Sequence, residues 1–415
     1  MRKYPVGIQS FEELRKGNYV YVDKTALIYR LVESGKYYFL SRPRRFGKSL
    51  LVSTLEAYFQ GKKELFGGLA MERLEDEWAE YPVLHVDLNT KKYENHSSLD
   101  EILNQHLEKW EAVYGDEKND RSPEERFSYI IEKISTVTGR NVVILIDEYD
   151  KPMLQAIGNE ELLADYRNTL KAFYGVMKSC DSYIKFALLT GVTKFSKVSV
   201  FSDLNNLMDI SLSDRFANIC GITEEELYRD FREDILELGQ RNGMGEKETK
   251  TALKERYDGY HFVKDGDDIY NPFSLLNTFA EMKFGSYWFE TGTPTFLVKL
   301  LQHSGYDLQR LAKEMASVDS LGGIDHMNTN PVPILYQSGY LTIKGYDSEF
   351  QVYYLGFPNR EVEEGFTRFL LPCYAHLETG NPSFEIMNFV KDVRQGDADG
   401  FLRRLQSFFF CRQSL

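Results

Sequence analysis

The sequence predicts an α/β protein whose parallel sheet carries helices on both faces. Three observations predict it. Short β-branched runs alternate with longer amphipathic stretches, a Gly-Lys-Ser turn lies between a strand and a helix, and a wholly apolar strand ends in two acids. Strands that alternate with helices are joined by crossovers, and crossovers make neighbouring strands parallel.

In chain order, apolar β-rich runs fall at 37–40, 83–88, 142–146, 186–189 and 207–212. Helical periodicity occupies 49–59, 99–113, 125–134 and 164–177 between them. The charged, turn-rich stretch 116–123 reads as a surface loop. After Leu212 the texture changes. Thr223-Glu224-Glu225-Glu226 is a capping-box pattern that opens a helical stretch to about Asn242, and helical periodicity continues through 247–256 and 274–284. Residues 331–338 read as a short helix closing at Gly339, and 341–344 and 350–355 as two strands of a hairpin, the order of a winged helix. The expected organisation is a nucleotide-site domain at 1–212, a helical lid at 213–320, and a winged-helix segment with C-terminal helices at 321–415.

A chain of 415 residues suits two or three domains, and 42% hydrophobic with 27% charged residues is a globular composition. Acids outnumber bases 63 to 50, so the overall field does not favour wrapping nucleic acid. Cys180, Cys220, Cys373 and Cys411 form no C-x-x-C pair and the seven histidines are scattered, which argues against zinc and suits a reducing cytoplasm. No leader-like apolar segment follows Met1, and no run approaches a membrane span.

The chemistry concentrates at strand ends. Tyr37-Tyr38-Phe39-Leu40-Ser41 leads through Arg42-Pro43-Arg44-Arg45-Phe46 to Gly47-Lys48-Ser49, a strand, loop and helix start that keeps the second half of the G-x-x-x-x-G-K-[ST] phosphate loop. Gly47 lets backbone approach phosphate, Lys48 meets the β- and γ-phosphates, and Ser49 ligates Mg²⁺. The helix that follows aims its N-terminal N–H groups at the anion, and Arg44 and Arg45 add charge, with Phe46 completing the cradle. Arg42 takes the position of the first glycine.

About one hundred residues on, Asn141-Val142-Val143-Ile144-Leu145-Ile146-Asp147-Glu148-Tyr149-Asp150 is a buried-type strand delivering carboxylates at its C-terminal end. In that arrangement Asp147 holds Mg²⁺ and Glu148 polarises the attacking water. A third strand ends in Leu189-Thr190-Gly191-Val192-Thr193-Lys194, and Thr190 or Thr193 is the candidate for a polar group beside the γ-phosphate. A turn-forming threonine is the plain alternative for either.

With these elements in place, the sequence resembles the bacterial AAA-ATPase-like family often fused to a PD-(D/E)XK nuclease-like domain. Gly17-Asn18-Tyr19-Val20-Tyr21-Val22-Asp23-Lys24-Thr25, the three strand-end motifs, Tyr257-Asp258-Gly259-Tyr260, Tyr270-Asn271-Pro272-Phe273-Ser274 and Gly356-Phe357-Pro358-Asn359 carry the resemblance. It implies a P-loop NTPase with ATP and Mg²⁺ as ligands, with Arg42 as the family's own loop variant. It also implies that 401–409 leads toward a nuclease-like domain, before which this chain stops. The triplets Asp116-Glu117-Lys118, Glu248-Thr249-Lys250 and Glu281-Met282-Lys283 match [DE]-x-K but lie in a loop or in helices, the wrong context for that chemistry. Lys194 lies where an AAA-type enzyme places an arginine, yet an ammonium lacks the planar fork. Arg215 is the other basic candidate, and the neighbourhood of Asp23 is a candidate for contact with the base.

Two functions are in competition: a Mg²⁺-dependent ATP-hydrolysing regulatory module, and a nucleotide-gated protein-binding scaffold with negligible turnover. DNA binding is the least favoured, because 328–338 contains no Lys or Arg to meet phosphates. The protein partner, self-association and ATP-versus-GTP preference are left open by the sequence.

Overall fold

The computed structural model describes residues 2–117, 120–195, 204, 206–290, 301, 304, 306, 314–321, 323, 330–375, 397, 399, 400, 402 and 403. The chain divides into two units, Met1–Val362 and Glu363–Leu415. Of the second, the main described part is the continuation of the helix Arg360–Ala375. The stretch 401–409 lies almost wholly outside the described residues.

In the first unit, α1 (Phe11–Lys16) and α2 (Thr25–Ser34) precede β1 (Tyr37–Ser41), and α3 (Lys48–Phe59) leaves the loop after it. Next come β2 (Val83–Asp87), α4 (Ser97–Tyr114), α5 (Pro123–Thr138) and β3 (Val142–Asp147). α6 (Lys151–Gln155), α7 (Glu160–Ser179), β4 (Ile184–Gly191) and β5 (Met208–Asp209) complete the core. The run expected at 207–212 pairs only over those last two residues. Local sequence sets the boundaries. α5, for example, opens on a Ser122 capping box with Pro123 in its first turn and closes at Gly139, which has φ +64°.

The five strands form one sheet in the order β2-β3-β4-β1-β5, each neighbouring pair parallel. All six residues of β3 are buried, as a central parallel strand covered on both faces must be. Successive side chains serve opposite faces. Phe39, Ile144, Ile146 and Leu189 join Phe127, Ile130 and Phe173 of α5 and α7 in one core. On the other face Phe186 stacks near Tyr38 and lies 5.2 Å from Phe59 of α3. The register pairs Leu40 with Thr190 and Ile146 with Leu189, so β1, β4 and β3 end level at one edge.

Beyond the sheet, β6 (Ile222–Thr223), α8 (Glu224–Asp230), α9 (Arg232–Asn242) and α10 (Glu246–Tyr257) are followed by β7 (Ile269–Tyr270), α11 (Pro272–Glu281) and α12 (Tyr287–Glu290). Thr223 and Glu226 form the expected capping box, but the helix expected to run to Asn242 breaks at Phe231, whose φ is −124°. Phe231 turns inward there, and its ring stacks on Phe279 of α11 at 5.2 Å. Leu227, Ile235, Leu238, Leu253 and Phe279 make this region's own core. The N-terminal segment straps it down. Val20 and Val22 pack against that core, Lys24 grips both oxygens of Glu226 at 2.6 Å, and Arg2 and Tyr4 both bond Asp234.

A second small sheet, β8 (Met315–Ser317), β9 (Thr342–Asp347) and β10 (Val352–Gly356), is antiparallel in the order β8-β10-β9. The helix Val332–Gln337 precedes the hairpin, and all six of its residues are buried. This helix therefore offers no exposed side chain to a DNA groove. Asn328 and Thr329 lie outside the described residues.

Candidate functional site

The loop between β1 and α3 holds two residues in the left-handed region. Arg45 and Gly47 both adopt positive φ, +65° and +95°, and left-handed residues in such a loop make a concave nest for an anion. Gly47 hands the chain directly to α3, whose first residues are Lys48 and Ser49. The Lys48 side chain is buried. Its ammonium donates to the carbonyls of Arg42 (3.0 Å) and Pro43 (3.2 Å) and stands 3.8 Å from Glu148 Oε1.

Facing it across β4, β3 delivers Asp147 and Glu148. Asp147 is 5% exposed, and its Oδ1 accepts the Thr190 hydroxyl and the Glu148 N–H (3.1 Å). Glu148 adopts φ +55°, a left-handed conformation that a glutamate holds only when its neighbours fix it. Burial pushes its carboxyl above the ordinary carboxylate range, the Lys48 ammonium pulls the other way, and the Asp150 carboxylate adds to the rise.

A cleft of about 90 Å³ adjoins Gly47. Its walls are mainly apolar: Val20 and Val22 from the N-terminal segment, Leu50 and Leu51 of α3, and Pro272 and Leu276 of α11. Gly47 thus adjoins the cleft while the next residue, Lys48, adjoins the strand-end acid Glu148.

A family model described as Predicted AAA-ATPase matches residues 5–201, a span holding the cradle, both acids and Thr190. An uncharacterized protein in the vnfD 5' region of Azotobacter chroococcum mcd 1 is 38% identical over 377 residues, covering 90% of this chain and 70% of that protein. The chain belongs to the predicted AAA-ATPase family. Among solved structures, the Aeropyrum pernix ORC2 protein in its ADPNP-ADP complexes is 10% identical over 83% of this chain and 92% of that one. Its TM-score is 0.22, too slight a likeness to bear on fold or function.

In this AAA-ATPase-like chain the sequence candidates divide. Lys48, Glu148, Asp147 and Thr190 come together at the sheet edge. Ser49 is half-buried one residue into α3. Arg44 is held by its carbonyl, which accepts the Trp288 indole N–H at 2.9 Å, and the Arg45 guanidinium lies 4.0 Å from the Phe273 ring. The Phe46 ring points into the protein, 4.7 Å from Tyr260 and 5.7 Å from Phe262, so only its backbone is left for a ligand.

Three further candidates are committed elsewhere. Asp23 accepts the Thr25 N–H and O–H and the Ala70 N–H, and it does not line the cleft, although its neighbours Val22 and Lys24 do. Lys194 pairs with Asp209, and Arg215 donates to Ser34. The [DE]-x-K triplets at 248–250 and 281–283 fall in α10 and at the end of α11.

Sequence reasoning missed Trp288 and the closing role of α11, whose signals are long-range. Asp150 it quoted without assigning a task. An acid three residues past the end of β3 was signal enough to ask what holds it.

Proposed function

We propose that this chain binds ATP with Mg²⁺ at the C-terminal edge of β1, β4 and β3 and hydrolyses it as a regulatory module. The observation that carries this reading is the buried Lys48 ammonium 3.8 Å from Glu148, with Asp147 next in the chain, across a nest of left-handed loop residues. A buried cation and two strand-end acids are costly to assemble without a ligand to share. Lys48, now resting on loop carbonyls, is the group that turns to the β- and γ-phosphates, and the loop N–H groups take the remaining oxygens.

The donors suit a hard cation. A serine hydroxyl and a carboxylate, completed by phosphate and water oxygens, form a magnesium-type set. Both hydrogen bonds named for Asp147 fall on Oδ1, and on this reading Oδ2 would be the oxygen to hold the cation. Mg²⁺ when bound neutralises charge on the phosphate oxygens. Glu148 orients the attacking water and accepts its proton. Thr190 fixes Asp147 and lies between the loop and the acids. The apolar cleft takes the base, with Val20, Val22, Leu50 and Leu276 supplying contact that a charged Asp23 would not. The region 213–320 then acts as the lid, since α11 walls the cleft and α12 holds the loop through Trp288.

The test is nucleotide binding and phosphate release measured together. Lys48→Ala weakens binding by about a hundred-fold or more, the loss of a charge-assisted phosphate contact. Glu148→Gln keeps binding within a few-fold and abolishes release. Unchanged affinity in Lys48→Ala refutes the site.

The nucleotide-gated scaffold is the second reading, and one observation favours it. Lys194 and Arg215, the basic groups considered for a finger onto the γ-phosphate, are both paired elsewhere. Binding without phosphate release in both the parent and Glu148→Gln selects the scaffold.

A further inference from the structure

The residues after Glu148 carry a network that the nucleotide reading does not use. Asp150 is fully buried, and its carboxylate accepts the Thr193 N–H (2.6 Å), the Thr193 hydroxyl (2.6 Å) and the Val192 N–H (3.1 Å to Oδ2, 3.3 Å to Oδ1). Tyr149, also fully buried, donates its N–H to the Thr190 carbonyl (3.0 Å) and its hydroxyl to the Thr193 carbonyl (2.9 Å), and accepts the Phe195 N–H (3.0 Å). Two consecutive side chains thus fix the whole turn that leaves β4. Gly191 makes the approach possible, because a Cβ there would lie 2.6 Å from both Asp150 Oδ1 and the Tyr149 ring.

A buried carboxylate is an expensive way to join two loops unless direction matters. Removing such a charge from water costs several kcal/mol, offset only by charged hydrogen bonds of good geometry. Apolar packing would hold the loops together without fixing their register. Register is what the adjoining residues need. Glu148 sits at φ +55° between Asp147 and Tyr149, and Thr190 bonds Asp147 from the strand whose exit Asp150 binds.

We propose that Asp150 is a positioning residue of this site: by drawing the Val192–Thr193 turn onto the end of β3, it sets where Glu148 and Thr190 meet the terminal phosphate of a bound nucleoside triphosphate. The inference rests on the nucleotide reading and adds the means by which the protein distinguishes triphosphate from diphosphate. Base and inner phosphates meet the cleft and the Gly47 loop, which Asp150 does not touch. The outermost phosphate meets the groups that Asp150 holds.

The experiment is calorimetric titration of ADP and of the β,γ-imido analogue of ATP, both with Mg²⁺, into the parent, Asp150→Asn, Thr193→Val and Thr193→Ser, each checked by thermal melting. The parent binds the triphosphate analogue more tightly than ADP. Asp150→Asn leaves ADP affinity within about two-fold and cuts the triphosphate preference about ten-fold. Thr193→Val cuts it about three-fold, and Thr193→Ser, which keeps the hydroxyl, restores it. A merely structural role would lower melting temperature and bound fraction together and leave the ratio of affinities alone. An unmoved ratio in folded Asp150→Asn, or a parent that binds both nucleotides equally, overturns the inference and leaves the nucleotide site standing. A parent that binds neither overturns both. Should Asp150→Asn fail to fold, the Thr193 pair decides: equal ratios for Val and Ser overturn the inference.

Discussion

Arg42 occupies the position where a standard phosphate loop has its first glycine, and it serves the fold. Its guanidinium is 1% exposed and donates to the carbonyls of Ser41 (2.9 Å), Ser211 (2.8 Å) and Ala217 (3.2 Å), with the Phe262 ring 4.1 Å away. It ties the end of β1 to the chain leaving the sheet. Arg42→Gly therefore does not restore a better cradle. It strands buried carbonyls and lowers stability by about 3 kcal/mol, read as a lower urea midpoint at unchanged slope. The glycine, lysine and serine of the loop were legible because their chemistry is local: a positive φ, an ammonium and a hydroxyl at a helix start. The task of Arg42 was not legible, because apart from Ser41 its carbonyl partners lie about 170 residues away in sequence. The same holds for Asp150, whose partners lie in the turn after a different strand.

At the scale of elements, the motifs at 257–260, 270–274 and 356–359 become one junction. Gly259, at φ +88°, passes so close to the hairpin's exit that a Cβ would lie 2.2 Å from the Pro358 carbonyl oxygen. Asn359 donates to the Asp258 carbonyl (2.8 Å), the Asn271 N–H to the Tyr257 carbonyl (2.8 Å), and Lys344 to the Pro358 carbonyl (3.0 Å). Gly259→Ala meets both a backbone atom and a disfavoured φ, and it destabilises by about 3 kcal/mol in chemical denaturation. Strands and helices of the sheet were readable from periodicity, and so was the Thr223 cap. The break at Phe231 was not, because a ring stack on α11 decides it. The shortness of β5 was missed too, since an apolar run does not say how much of it finds a partner strand.

For the whole molecule, the parallel sheet was predictable from alternation alone, whereas the packing of the later segments onto the phosphate loop was not. Glu361 shows what that packing stores. It is fully buried, accepts the Ser274 hydroxyl (2.7 Å) and the Trp288 N–H (2.8 Å), and burial pushes its carboxyl up to about 7 from 4.5. The folded state holds this proton more tightly than the unfolded chain does. The contribution is therefore fully present below about pH 4.5 and is lost as pH rises to about 7. Stability falls across that window by up to about 3 kcal/mol from this group. Asp258, raised by burial to about 7, adds a slope of the same sign. Glu361→Gln, which cannot ionise, flattens the dependence and melts higher than the parent at pH 8, a comparison made by thermal denaturation from pH 5 to 8. Trp288, the backbone donor to Glu361, also carries the indole that holds the Arg44 carbonyl. The loop before α3 and the hairpin junction thus share one residue. Linkage is reciprocal: if a protein bound at α12 changed the hold on nucleotide, nucleotide would change that protein's grip by the same factor. An effector acting through α12 has no need to reach the phosphates.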